Sequence, residues 1–188
     1  MMSASLDQEI YSGKNDVSRY LQPMMGKRFS LVMERPGHVG LFDVNFPGRE
    51  IMSNSEMEKR SNAQIIQEAR GDVLIAGLGI GMILLPIMNK PEVTSIEVVE
   101  LHQEVIDLVA PQLPLNSKVR IIHSNIMHFV PEHSYDVMYF DTVYEGLCLP
   151  DELKERSNGE SYLGDSQLVH KFSSFLKLGG HSSFFLEK

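Results

Sequence analysis

Three kinds of residue along this chain could do chemistry, and each closes an apolar run. Gly77, Gly79 and Gly81 stand together in GDVLIAGLGIGMILLP, Glu100 ends SIEVVE, and Asp141 ends YDVMYFD. Glycines just after a buried strand let the backbone turn sharply and bring its amides close to a ligand, because no Cβ intervenes. A tight turn from strand to helix is the competing reading. The dinucleotide fingerprint Gly-x-Gly-x-x-Gly needs its third glycine where this chain has Met82. Glu100 follows Gly81 by 19 positions, and a carboxylate there can accept both hydroxyls of an adenosine ribose. Asp141 reads either as a group beside a reacting centre or as a cap on the segment that follows.

These residues need a frame to bring them together. DVLIA, SIEVVE, KVRIIH, YDVMYFD and HSSFFLE read as five strands, separated by helical or turn-rich text. Between the first two lies the apolar segment Met82 to Met88, where Pro86 must kink a helix or sit in its first turn. HQEVIDLVA is a helix closed by Pro111 and Pro114. Leu168, Phe172, Phe175 and Leu176 fall on one helical face, ended by Lys177-Leu178-Gly179-Gly180. Strands alternating with helices predict an α/β fold with a doubly wound, mostly parallel sheet. Ligands of such sheets bind beyond the carboxyl ends of the strands, where the winding reverses. The chemistry is therefore expected at Gly77 to Gly81, Glu100, His123 to Ile126 and Asp141.

The first part of the chain differs. Residues 1 to about 25 are polar and mixed, and read as a loose arm or short helix. RFSLVME, HVGLFDV and REIM are short β-like pieces separated by Pro36-Gly37 and Pro47-Gly48, a small antiparallel appendage of two or three strands. A helix then starts near Ser53 or Ser55, each of which precedes a glutamate by three positions.

Composition narrows the function classes. A hydrophobic fraction of 43% fits a globular chain of 188 residues. No apolar run reaches the roughly 20 residues that cross a bilayer, and the polar N-terminus does not resemble a secretory signal. The single cysteine, Cys148, fits a reducing cytoplasm. A net charge of −8 without a Lys/Arg cluster argues against nucleic-acid binding. His123, His128 and His133 recur every five residues, a spacing that suits neither one helix face nor one strand face, so no metal is expected.

VLIAGLGIG, IEVVE, VRIIHSNI and YDVMYFD, in this order and spacing, resemble the class I S-adenosylmethionine-dependent methyltransferases over roughly Gln64 to Lys188. Within that superfamily the sequence is most similar to spermidine synthase-like proteins, and GLFDVNFPGREIMS resembles their small β-domain. The resemblance implies two units: an arm and β appendage in residues 1–55, and a Rossmann-like cofactor domain in residues 56–188. It implies that Gly77, Leu78, Gly79 and Gly81 pass beneath the methionine and ribose of S-adenosylmethionine, and that Glu100 binds the ribose diol. Leu101 and Ile126 would sandwich the adenine, and Asn125 would stand where the family has an aspartate facing the adenine amino group. Asp141 would lie beside both the cofactor and the reacting centre.

Several positions depart from the family. Ile75 and Ile80 replace acids, and Asp141-Thr142-Val143-Tyr144 lacks the two prolines of amino-group methyltransferases. The chain also ends at Lys188, after the fifth of seven strands expected from the family. Three functions stay open on this reading. One is methyl transfer to a small molecule, a second is aminopropyl transfer from decarboxylated S-adenosylmethionine, and the third is a non-catalytic nucleoside-binding relative or partner subunit. The segment Thr142 to Gly164 carries Glu145, Asp151, Glu152, Glu155 and Glu160, which would suit a cationic amine acceptor. A homodimer built on the last strand and a cytoplasmic location complete the expectations, with neither nucleic acid nor membrane as a partner.

Overall fold

The alternating apolar runs resolve, in the computed structural model, into two sheets. The structure describes residues 9–141, 168 and 170–184. The first sheet holds β1 (Met24–Met25), β2 (Phe29–Arg35), β3 (His38–Asp43) and β4 (Glu50–Ser53), each antiparallel to its neighbour in that order. It has four strands where two or three were expected, because β1 is too short to show alternation. The expected loose arm is not loose from residue 9 onward. Tyr11, Val17 and Leu21 are buried, and the Tyr11 hydroxyl donates to the Lys59 carbonyl at 3.0 Å.

The helix Glu56–Glu68 begins at Ser55, whose Oγ accepts from Glu58 N at 3.4 Å. Glu58 reaches back past that cap to accept from Ser53 N at 3.0 Å, so both serines take part in one start signal.

The second sheet holds β5 (Gly71–Ala76), β6 (Val93–Glu100), β7 (Val119–His123), β8 (Tyr135–Phe140) and β9 (Leu176–Phe184). Its order is β7-β6-β5-β8-β9, and every pairing is parallel. From β5 the chain winds outward to β7 and then returns to the other side of β5 with β8. The winding therefore reverses between β5 and β8, and the carboxyl ends of those strands flank a crevice. Side chains alternate across β5: Val73 and Ile75 join one buried cluster, Leu74 and Ala76 another. Both faces are thus covered, as a parallel sheet requires. Pro86 is the third residue of the helix Leu84–Met88, in its first turn, where no N–H is missed.

One boundary moves. Leu168 and Phe172 are buried as a helical face predicts, but Phe175 closes a single turn and Leu176 opens β9. Lys177 to Gly180 are strand. The register shift between Tyr135 and Val137 on β8 absorbs them, with Gly179 at φ +78°, so the glycines mark a bulge rather than a helix end. Among the described residues no helix is long and apolar enough to cross a membrane.

Candidate functional site

Beyond Ala76 the chain enters the glycine turn. Gly77 has φ +98°, and a Cβ there would lie 2.6 Å from the Asp141 carbonyl oxygen. Only glycine allows β5 and β8 to approach this closely just past their ends. Gly79 has φ +51° and stands against the Met52 thioether, so a residue of β4 covers the middle of the turn. Gly81 closes the turn by donating to the Leu78 carbonyl at 2.9 Å.

Glu100, the last residue of β6, is buried. Its Oε2 accepts from Leu78 N and its Oε1 from His102 N, both at 2.8 Å. The carboxylate thus latches the glycine turn to the start of the next helix. An ionised carboxylate offers about four acceptor positions, so it can hold both amides at once.

Asp141 is half-buried and donates its own N–H to the Ala76 carbonyl at 2.9 Å. Loss of water around its carboxyl, and then the negative charge of Glu100, push its pKa up to about 7.

The remaining expected residues lie on the same rim. Ser124 N donates to the Glu100 carbonyl at 3.0 Å, joining the loop after β7 to the end of β6. Leu101 is half-buried, and its carbonyl lies 3.0 Å from His123 Nε2. Asn125 Oδ1 accepts from Met127 N at 2.8 Å, so this side chain organises its own turn. Ile126 is buried with Leu74, Val99 and Phe172, and Lys171 Nζ donates to its carbonyl at 3.0 Å. The structure therefore brings Gly77, Leu78, Glu100 and Asp141 into one connected group. It places Leu101 directly after Glu100 and Asn125 and Ile126 one strand further along, where Asn125 forms a turn and Ile126 packs in the core. Thr142 to Gly164, with the acidic residues and Cys148, lies outside the described residues.

Sequence reasoning missed the contribution of the first sheet. Besides Met52, Phe29 stacks obliquely on His102 with ring centroids 4.8 Å apart. Burial, then the charge of Arg28, lowers the His102 pKa. Glu104, in the first turn of the helix Gln103–Val109, accepts from Lys27 N and from Arg28 N, the latter at 3.0 Å. An acid in a first helical turn is legible in sequence; its partner 76 residues earlier is not.

No protein-family model matches the chain, and no curated protein does so either. Solved structures do. The N-methyltransferase NodS from Bradyrhizobium japonicum matches with a TM-score of 0.52 and 15% identity, over 70% of this chain and 68% of NodS. Its complex with S-adenosyl-L-homocysteine matches with the same score and identity, over 62% of that chain. The chain shares the Rossmann-like fold of this methyltransferase, with a parallel five-stranded sheet. A methyltransferase from Clostridium acetobutylicum is also similar, at 17% identity and a TM-score of 0.48, with half of its length covered. The chain thus spans between half and about two thirds of these methyltransferase structures.

Proposed function

We propose that the protein transfers the methyl group of S-adenosylmethionine to a small-molecule acceptor. The observation that carries this reading is the Glu100 carboxylate, buried at the end of β6 and tied at 2.8 Å to Leu78 N in the turn after β5, beside the crevice where the winding reverses. On this reading the amides of Gly77 to Gly81 and the Glu100 carboxylate hold the nucleoside, with Leu101, Asn125 and Ile126 along the adenine. The NodS complex shows that a protein of this fold accommodates the product nucleoside. S-adenosylmethionine supplies an activated methyl on a sulfonium, so alignment of the acceptor provides most of the acceleration. Asp141, titrating at about 7, accepts the proton of an acceptor amine or hydroxyl near neutral pH. On the same reading the chain divides into an arm and β appendage, residues 1–55, and a cofactor domain, residues 56–188, of a cytoplasmic enzyme.

The test is incubation of the full chain with labelled S-adenosylmethionine, or its decarboxylated form, and pools of amines or phenols. Release of S-adenosylhomocysteine supports methyl transfer. Methylthioadenosine would replace it with aminopropyl transfer, and tight binding without either product would leave a nucleoside-binding protein. No binding of any of these nucleosides would sink the placement of the site itself.

A further inference from the structure

The turn end of the first sheet carries a grouping separate from the strand ends of the second. Glu34 lies on β2, His38 opens β3 and Glu50 opens β4. Two register shifts aim these side chains. Met33 pairs with Val39 and Arg35 with His38, which leaves Glu34 as an extra residue. Leu41 pairs with Met52 and Phe42 with Glu50, which leaves Ile51 as another. Bulges of this kind redirect side chains. Gly40 keeps the space between them open, because a Cβ there would come within 3.0 Å of Glu50 Oε2.

The result is a convergence of three donor atoms. His38 Nε2 lies 3.4 Å from Glu34 Oε2 and 3.7 Å from Glu50 Oε2, and all three atoms fall within 4.8 Å of one another. These separations exceed the roughly 2.7–2.9 Å of a charge-assisted hydrogen bond. They approach the edge of a tetrahedron, about 3.3–3.4 Å for bonds near 2.0–2.1 Å to zinc. Two carboxylates facing one imidazole surround its nitrogen with negative charge, which favours a cation there, whether a proton on His38 or a metal ion.

We propose that Glu34, His38 and Glu50 bind a divalent transition-metal ion. One imidazole nitrogen and two carboxylate oxygens, with water in the fourth position, suit zinc better than the all-oxygen preference of calcium or magnesium. The ion ties three neighbouring strands together and so stiffens β4, which carries Met52 over the glycine turn. The site is independent of the proposed methyl transfer.

Zinc alone, titrated into the metal-free full chain by calorimetry, tests this. One equivalent should bind, and the melting temperature should rise with zinc concentration. His38→Ala and Glu34→Gln should each weaken binding at least about tenfold, since loss of even a supporting partner of a metal ligand costs that much. His170→Ala, at an exposed histidine elsewhere, should change nothing. Should His38→Ala fail to fold, the exposed and conservative Glu34→Gln decides alone. Zinc binding that is undiminished in Glu34→Gln, or absent from the folded wild-type chain at millimolar zinc, overturns the proposal.

Discussion

Each end of the parallel sheet sets a positive-φ glycine beside an aspartate of the neighbouring strand, and the two aspartates meet opposite fates. At the opening end Gly71, at φ +58°, stands against Asp136. Lys177 Nζ lies 2.7 Å from both Asp136 and Asp72, Ser95 Oγ donates to Asp72 at 2.7 Å, and Asp72 N donates to Asp136 at 2.8 Å. The lysine hydrogen bonds hold both carboxyls below their usual range. At the closing end Gly77 stands against Asp141. No salt bridge to Asp141 is found among the described residues, and its pKa rises to about 7. Matched charges at one end serve the fold. An acid kept beside another acid at a strand end has a cost to stability, and such placements concentrate where a proton must move.

The two ends should therefore respond oppositely to pH. For Asp72 and Asp136 the folded pKa is depressed, so their contribution is present above the ordinary carboxylate value and is lost as pH falls through the folded one. For Asp141 the folded pKa is raised. Its destabilising effect is complete above about 7 and fades as pH falls toward the unfolded value of 3.8.

The largest effect is expected at Asp141. Asp141→Asn should lower the rate of methyl transfer by about 100-fold or more, as removal of a general base does. It should also erase the rise in wild-type rate as pH passes through 7. The same substitution should stabilise the folded chain at pH 8 by about 1 kcal/mol, because a partly desolvated charge is gone. Rate profiles and denaturant titrations at pH 6 and 8 read both consequences. A slower but less stable variant would mean that Asp141 is a structural cap.

Glu100→Ala should come next. Loss of a charged acceptor worth ~2 kcal/mol weakens nucleoside binding by about 30-fold, measured by calorimetry with S-adenosylhomocysteine. Because Glu100 also latches Leu78 and His102, the melting temperature should fall too. A lower melting temperature with unchanged affinity would reduce Glu100 to a latch and move the ribose elsewhere.

The strand-end placement of these residues was legible in the sequence because each signal is local. A glycine after an apolar run, an acid closing a strand and the order β5 to β8 all follow from spacing along a few tens of residues. The rest depends on partners distant in sequence. Nothing near Met52 signals that β4 folds over Gly79, and β1 exists only through pairing with Ser30 and Leu31. Asn125 shows the limit from the other side. It stands where the family often has an aspartate, and its side-chain oxygen also accepts from Met127 N, a local bond that the spacing could equally have announced. Lys177 was read as part of a helix end because Gly179 and Gly180 follow it. The register shift that turns those glycines into strand is a property of β8 as much as of β9.

Lys177 also supplies the smallest and most specific test of the comparison. A lone exposed ion pair contributes little to stability, but this lysine stands between two carboxylates linked through the Asp72 amide. Lys177→Met leaves those acids facing each other and removes the hydrogen bonds that keep them ionised. The melting temperature should fall modestly near neutral pH, more in low salt than in high, since screening relieves the repulsion. Acidification toward pH 4 should recover part of the loss by protonating one acid. Nucleoside affinity and the rate dependence around pH 7 should stay as in the wild type, because the substitution acts at the opening end of the strands. A change in affinity comparable with that of Glu100→Ala would mean that strain at one end of β5 reaches the glycine turn at the other, and the division between a structural end and a chemical end would have to be abandoned.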